Sequence, residues 1–169
     1  MLVAIDPGVN GLGVAEFQRD TIKAVSDWRC TRCVYVEFSP IGNPHSQAVS
    51  LLVAIGNRSN ELVLEWPQVY SGRARKGDQD DILRLAAIDG AIMTMPWGGV
   101  RLVTPHEWKG AVPADIMTER LRAKARVWGV EKIKRVFPDG SSDVCPTYLQ
   151  HNALDAFGLG VRHLCGPLR

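Results

Sequence analysis

Apolar positions run unbroken at Leu2-Val3-Ala4-Ile5, the pattern of a short strand buried on both faces, and the run ends at Asp6-Pro7-Gly8. Asn10-Gly11 supplies a hairpin-favouring turn, residues 12–17 resume as strand, and residues 21–28 read as a third strand continuing toward Tyr35. Three strands joined by tight turns predict an antiparallel meander. A Pro/Gly linker over 39–44 precedes an apolar helix expected at about 45–55, and residues 61–66 read as a strand stopped by Pro67. Residues 71–77 form a basic, Gly-bounded loop. A long helix is expected over 80–95, acidic in its first turn as the helix dipole prefers. Its apolar positions fall on two stripes, Ile82, Leu85, Ile88, Ile92 and Met95 on one, Leu83, Ala87 and Ala91 on the other. Residues 100–103 read as strand, Pro105 opens a short helix carrying Trp108 and Lys109, and Asp115 caps a helix reaching about Trp128. Residues 137–146 read as loop, and a last helix covers about 148–164. This order describes an α/β domain spanning 1–169, a mixed five-stranded sheet that begins as an antiparallel meander, with helices on both faces.

Composition supports that picture. At 169 residues, 46% hydrophobic and 22% charged, the chain suits one core; it is too short for two full-sized domains and too apolar for a disordered protein. No apolar run approaches the ~18 residues of a membrane span, and Asp6 interrupts any secretory leader pattern, so a cytoplasmic protein with no membrane contact is expected. Cys30 and Cys33 form one close pair, but Cys145 and Cys165 stand apart, which favours free thiols over a zinc site. Residues 1–100 hold 9 basic and 11 acidic side chains, whereas residues 101–135 hold 9 basic against 4 acidic, a local excess of +5. Such a block is either a solvated helix face or a footprint for a phosphate backbone.

Three acids stand where the pattern calls for apolar side chains: Asp6 at the end of the first strand, Glu65 near the end of the strand over 61–66, and Asp155 inside Ala153-Leu154-Asp155-Ala156-Phe157. A desolvated carboxylate costs several kcal/mol unless paired or bound to a cation. Three of them point to a shared ligand, and their hard oxygens suit Mg²⁺ or Mn²⁺ rather than zinc.

These residues also carry a resemblance. The run from Ala4 to Ala15, Ala-Ile-Asp-Pro-Gly-Val-Asn-Gly-Leu-Gly-Val-Ala, resembles the first-hairpin signature of RuvC-type Holliday junction resolvases of the ribonuclease H-like superfamily. Leu64-Glu65, with Gln68 and Tyr70 downstream, is similar to that family's second acidic strand, and Asn152-Ala153-Leu154-Asp155-Ala156 to its C-terminal acidic helix. The resemblance implies two Mg²⁺ ions, for which Mn²⁺ substitutes, with Asp6 bridging them, Glu65 binding one and Asp155 the other. The family's second acid or His, three positions before the last Asp, is here Asn152, with His151 one residue earlier as second choice; at ~100° per residue both lie within about 60° of Asp155. Lys109 and Arg120 match basic residues that contact the scissile strand, and Lys124 lies on the same helix face as Arg120. Arg73, Arg75 and Lys76 would approach the strand near the junction, where Tyr70 would stack on an unpaired base. The implied function is Mg²⁺-dependent symmetric nicking of four-way DNA junctions in recombination, repair or the resolution of replication intermediates. It would be performed by a homodimer joined through the helix over 80–95, with branched DNA as partner and no organic cofactor. On the same fold, a nuclease-inactive nucleic-acid-binding module and an RNA-processing nuclease are the alternatives.

Overall fold

The computed structural model of the chain describes residues 1–19, 28–39, 43, 46, 47, 49, 55, 61–68 and 79–166. Strand β1 (Leu2–Gly8) turns through Val9-Asn10 into β2 (Gly11–Arg19), which pairs antiparallel with β1 and with β3 (Trp28–Glu37). On the other side of β1 lie β4 (Glu61–Glu65) and then β5 (Gly99–Val103), both parallel to it, with helix α1 (Gln79–Met93) between them in sequence. Helices α2 (Pro105–Lys109) and α3 (Ala114–Val127) follow, then strands β6 (Lys134–Val136) and β7 (Ser142–Val144). A 3-10 turn at Thr147–Leu149 leads into the last helix, α4 (Gln150–Cys165).

The described strands form one sheet in the order β5-β4-β1-β2-β3-β6-β7. The first hairpin, the long helix and the last helix stand where the hydrophobic pattern puts them, while the described third strand, Trp28–Glu37, is the continuation of the one expected over 21–28. The expected helix over 45–55 and the start of the third strand fall largely outside the described residues. The sheet has seven strands rather than the five expected, and β7 lies inside the segment read as loop. β6 and β7 span three residues each and β7 is exposed throughout, so neither shows apolar alternation. They are held by ladder bonds and by the Arg135 guanidinium, which donates to both Asp143 carboxylate oxygens at 3.1 and 2.8 Å.

Because side chains alternate across a strand, the sheet divides the apolar residues between two cores. Leu2, Ala4, Ala15, Phe17 and Val63 face α4 and α3, where Phe17, Trp128 and Phe157 pack with ring centroids 5.7–6.0 Å apart. Val3, Ile5, Leu12, Val14, Leu62 and Leu64 face the other way, toward Ile88 and Ile92 of α1. Asp6 and Glu65 continue the first parity, so both strand acids emerge on the α4 side.

One acid is buried in the second layer. Asp89 of α1 is fully buried, and neither of its carboxylate oxygens has a hydrogen-bond partner. Burial first, and the charge of Glu65 second, push its pKa from 3.8 up to about 8. The folded chain therefore keeps a proton that the unfolded chain loses. The cost is absent below the unfolded value and grows as pH rises from there toward about 8. Asp89→Asn is expected to stabilise the protein by about 2 kcal/mol at pH 7.5, leaving it with a flatter melting-temperature profile between pH 5 and 8 than the parent. Calorimetry across that range checks it; parallel profiles would show that Asp89 is ionised in both states.

Candidate active site: three acids and a lysine

β1 and β4 run side by side with Ile5 opposite Leu64, so the next residues along, Asp6 and Glu65, leave the sheet at the same level. Helix α4 crosses above them and brings Asp155 down from its second turn. Its approach depends on glycines in the first hairpin. The Asn152 side chain lies over Gly8, where a Cβ would meet its Nδ2 at 2.8 Å, and the backbone at Asn152-Ala153 lies directly on Gly13. The Cys33 thiol donates to the Ala153 carbonyl at 3.3 Å, tying α4 to β3 beside the site.

The fourth member comes from α2. Thr104 caps this five-residue helix in a reciprocal box with Glu107, and Pro105 occupies its first turn. The cap fixes the helix rotation so that Trp108 and Lys109 point inward. The Trp108 indole N–H donates to Glu65 Oε2 at 2.5 Å. The Lys109 ammonium donates to Asp155 Oδ2 at 2.7 Å, pairs with Glu65 Oε2 at 3.2 Å, and lies 4.6 Å from the Trp108 ring centroid.

Electrostatics follow from this crowding. Asp6, 5% exposed, has its pKa raised well above 3.8 by burial, then by the charge of Glu65, with Asp155 and a side-chain hydrogen bond with Glu65 adding to it and Lys109 opposing. Asp155 is also raised, by burial first, against the opposing pull of Lys109. Burial works against the charge of Lys109, but the three surrounding acids win and hold it firmly protonated.

The expected basic and second-choice residues distribute unevenly. Lys109 stands among the carboxylates rather than on an open phosphate track. Arg120 is exposed and Lys124 half-buried on α3, while Tyr70, Arg73, Arg75 and Lys76 lie outside the described residues. The exposed His151 ring donates through Nδ1 to the Tyr148 carbonyl at 3.0 Å, in the tautomer that this bond requires. Trp108, which fixes Glu65, and Asp89, whose pKa the charge of Glu65 helps to raise, are additions that the sequence pattern did not single out. The signal for Trp108 was the Thr104-x-x-Glu107 box immediately before it.

In donor chemistry the cluster suits a hard divalent cation: three oxygen-only side chains from three elements, one of them a buried carboxyl that a cation would relieve. In spacing, the lysine stands between two of the donors. Among the described residues no group of three His, Cys, Asp or Glu side chains is arranged to hold a metal ion.

No family model matches the chain, and no curated protein matches it. Solved structures do. RuvC of Thermus thermophilus aligns over 96% of this chain and 94% of its own, at 15% identity and a TM-score of 0.51. The same protein in complex with Holliday junction substrate aligns over the same shares, at 15% identity and a TM-score of 0.53. The yeast mitochondrial Holliday junction resolvase aligns over 94% of this chain and 78% of its own, at 11% identity and a TM-score of 0.45. The seven-stranded mixed sheet with its flanking helices therefore has the fold of Thermus thermophilus RuvC.

Proposed function

We propose that the chain is a structure-selective DNA endonuclease, dependent on divalent cations, that nicks four-way junctions symmetrically as a homodimer. The observation that carries this reading is the meeting of Asp6, Glu65 and Asp155, from β1, β4 and α4, on one side of the sheet around a single ammonium. Asp6, Glu65 and Asp155, completed by Asn152, would hold Mg²⁺ ions, or Mn²⁺ in their place. When bound, such ions supply activation of the attacking water and charge stabilisation of the leaving oxygen.

The chain's own residues prepare the rest. Trp108 and Lys109 both hold Oε2 of Glu65, which fixes that carboxylate beside Asp6. With Nδ1 bonded to the Tyr148 carbonyl, His151 stands one turn before Asp155 on α4, where its other ring nitrogen would orient a water. Arg120 and Lys124 add positive charge on α3, and the basic segment with Arg73, Arg75, Lys76 and Tyr70 supplies further contacts to the branched strands.

A second reading is a nuclease-inactive junction-binding module. Two features favour it: Lys109 already balances the acids, and Asn152 stands where the resemblance places a fourth acid or a His. Incubating the purified chain with labelled four-way DNA, three-way DNA, linear duplex and structured RNA in Mg²⁺ and in Mn²⁺ separates the readings. Paired nicks on the four-way substrate are expected, at least about tenfold faster than on linear duplex. Binding without nicks in either metal supports the inactive module, and preferential RNA cleavage overturns the DNA assignment.

A further inference from the structure

We propose that Lys109 competes with the divalent cation for Glu65 and Asp155, so that loading the site requires its ammonium to leave the cluster. The inference rests on the reading of Asp6, Glu65 and Asp155 as metal donors and concerns what stands in their way. Three partners define the ammonium's position: Asp155 Oδ2 at 2.7 Å, Glu65 Oε2 at 3.2 Å and the Trp108 ring at 4.6 Å. The two oxygens belong to the same carboxylates that a cation would draw on. An ammonium and a divalent cation drawn to the same two carboxylates repel one another, so each weakens the hold of the other.

The geometry also gives the ammonium a way out. Lys109 is the last residue of α2, and Gly110 follows with φ of 62°, so the side chain occupies a helix end. It is 23% exposed, with four rotatable bonds, and can swing to solvent with no backbone change. Glu65 would stay in place meanwhile, since Trp108 holds Oε2 independently. Lys109 is thus a resident counter-ion that lets the acids be buried before metal arrives, and its removal should tighten metal binding.

Titrating the full chain with Mn²⁺ in the absence of DNA, with free Mn²⁺ read by electron paramagnetic resonance, tests this directly. Lys109→Met is expected to bind Mn²⁺ about tenfold more tightly than the parent. It should melt lower in EDTA, because two carboxylates lose their partner, and gain more melting temperature from Mn²⁺ than the parent gains. Lys109→Arg, which keeps the charge, should stay close to the parent, and Lys109→Gln replaces the Met variant should that one fail to fold. Unchanged or weaker Mn²⁺ binding in the folded neutral variant, with parental binding abolished by Asp6→Asn, overturns the competition and leaves the metal site standing. Absence of Mn²⁺ binding in parent and neutral variant alike overturns the metal reading itself.

Discussion

Asp6→Asn is expected to lower junction cleavage in Mg²⁺ by about a thousandfold or more, to leave junction binding within about threefold, and to raise the melting temperature. Asparagine matches aspartate in shape, so the loss isolates the charge. Asp6 is the most buried of the three acids, its pKa is raised by burial, Glu65 and Asp155, and Lys109 alone among these neighbours opposes the shift. The raised value means that the folded chain holds the proton that the unfolded chain releases. Asp6 therefore costs nothing below the unfolded pKa, and its cost grows as pH rises toward the folded value. An amide removes that cost and can donate to the Glu65 carboxylate, while Lys109 continues to balance Glu65 and Asp155. Higher stability with lost chemistry is the signature of a residue kept for function at the expense of the fold. Single-turnover cleavage, gel shift in EDTA and calorimetry give the three readouts. A joint fall of cleavage, binding and melting temperature would instead make Asp6 a structural residue.

The three acids were legible because each breaks a pattern that the surrounding residues set. Ala4 and Val63 show by parity which face Asp6 and Glu65 take, and the apolar run around Asp155 announces a helix too buried for an idle carboxylate. Lys109 was legible as a basic residue after β5 but not in its direction. A five-residue helix has little more than one turn, so no periodicity reports its rotation; the Thr104–Glu107 cap and the packing of Trp108 set it. Asp89 stayed hidden for the opposite reason, since in a window beginning Asp80-Asp81 a further acid reads as part of a solvated face. β6 and β7 escaped because their pairing depends on backbone bonds and on Arg135 with Asp143, none of which leaves an apolar signature. Glycine, too, reads ambiguously: Gly11 and Gly13 flank Leu12 alike, yet only the folded backbone shows which one carries the helix.

Gly13→Ala is expected to destabilise the protein by about 3 kcal/mol and to cut cleavage by about a hundredfold in whatever fraction remains folded. Gly13 pairs with Asp6 across the β1–β2 ladder, and the odd-numbered residues that follow it, Ala15 and Phe17, face α4. A Cβ at Gly13 would stand 2.7 Å from the Ala153 nitrogen and nearer still to the Asn152 carbonyl. Each of these is a backbone atom, so no rotamer change can make room and the first turn of α4 must lift away. That motion would pull the Ala153 carbonyl off Cys33 and the Asn152 side chain off Gly8, and it would carry Asp155 away from Lys109 and Asp6. A displacement of ~1 Å suffices for a loss of this size when the groups act together on one reacting centre. Gly90→Ala in α1 provides the contrast. Its Cβ would meet nothing within 4 Å, and alanine is the better helix former, so a gain of up to about 1 kcal/mol is expected there. Chemical denaturation of the two variants decides the matter: similar stabilities for both would mean that α4 is positioned by something other than its seat on Gly13.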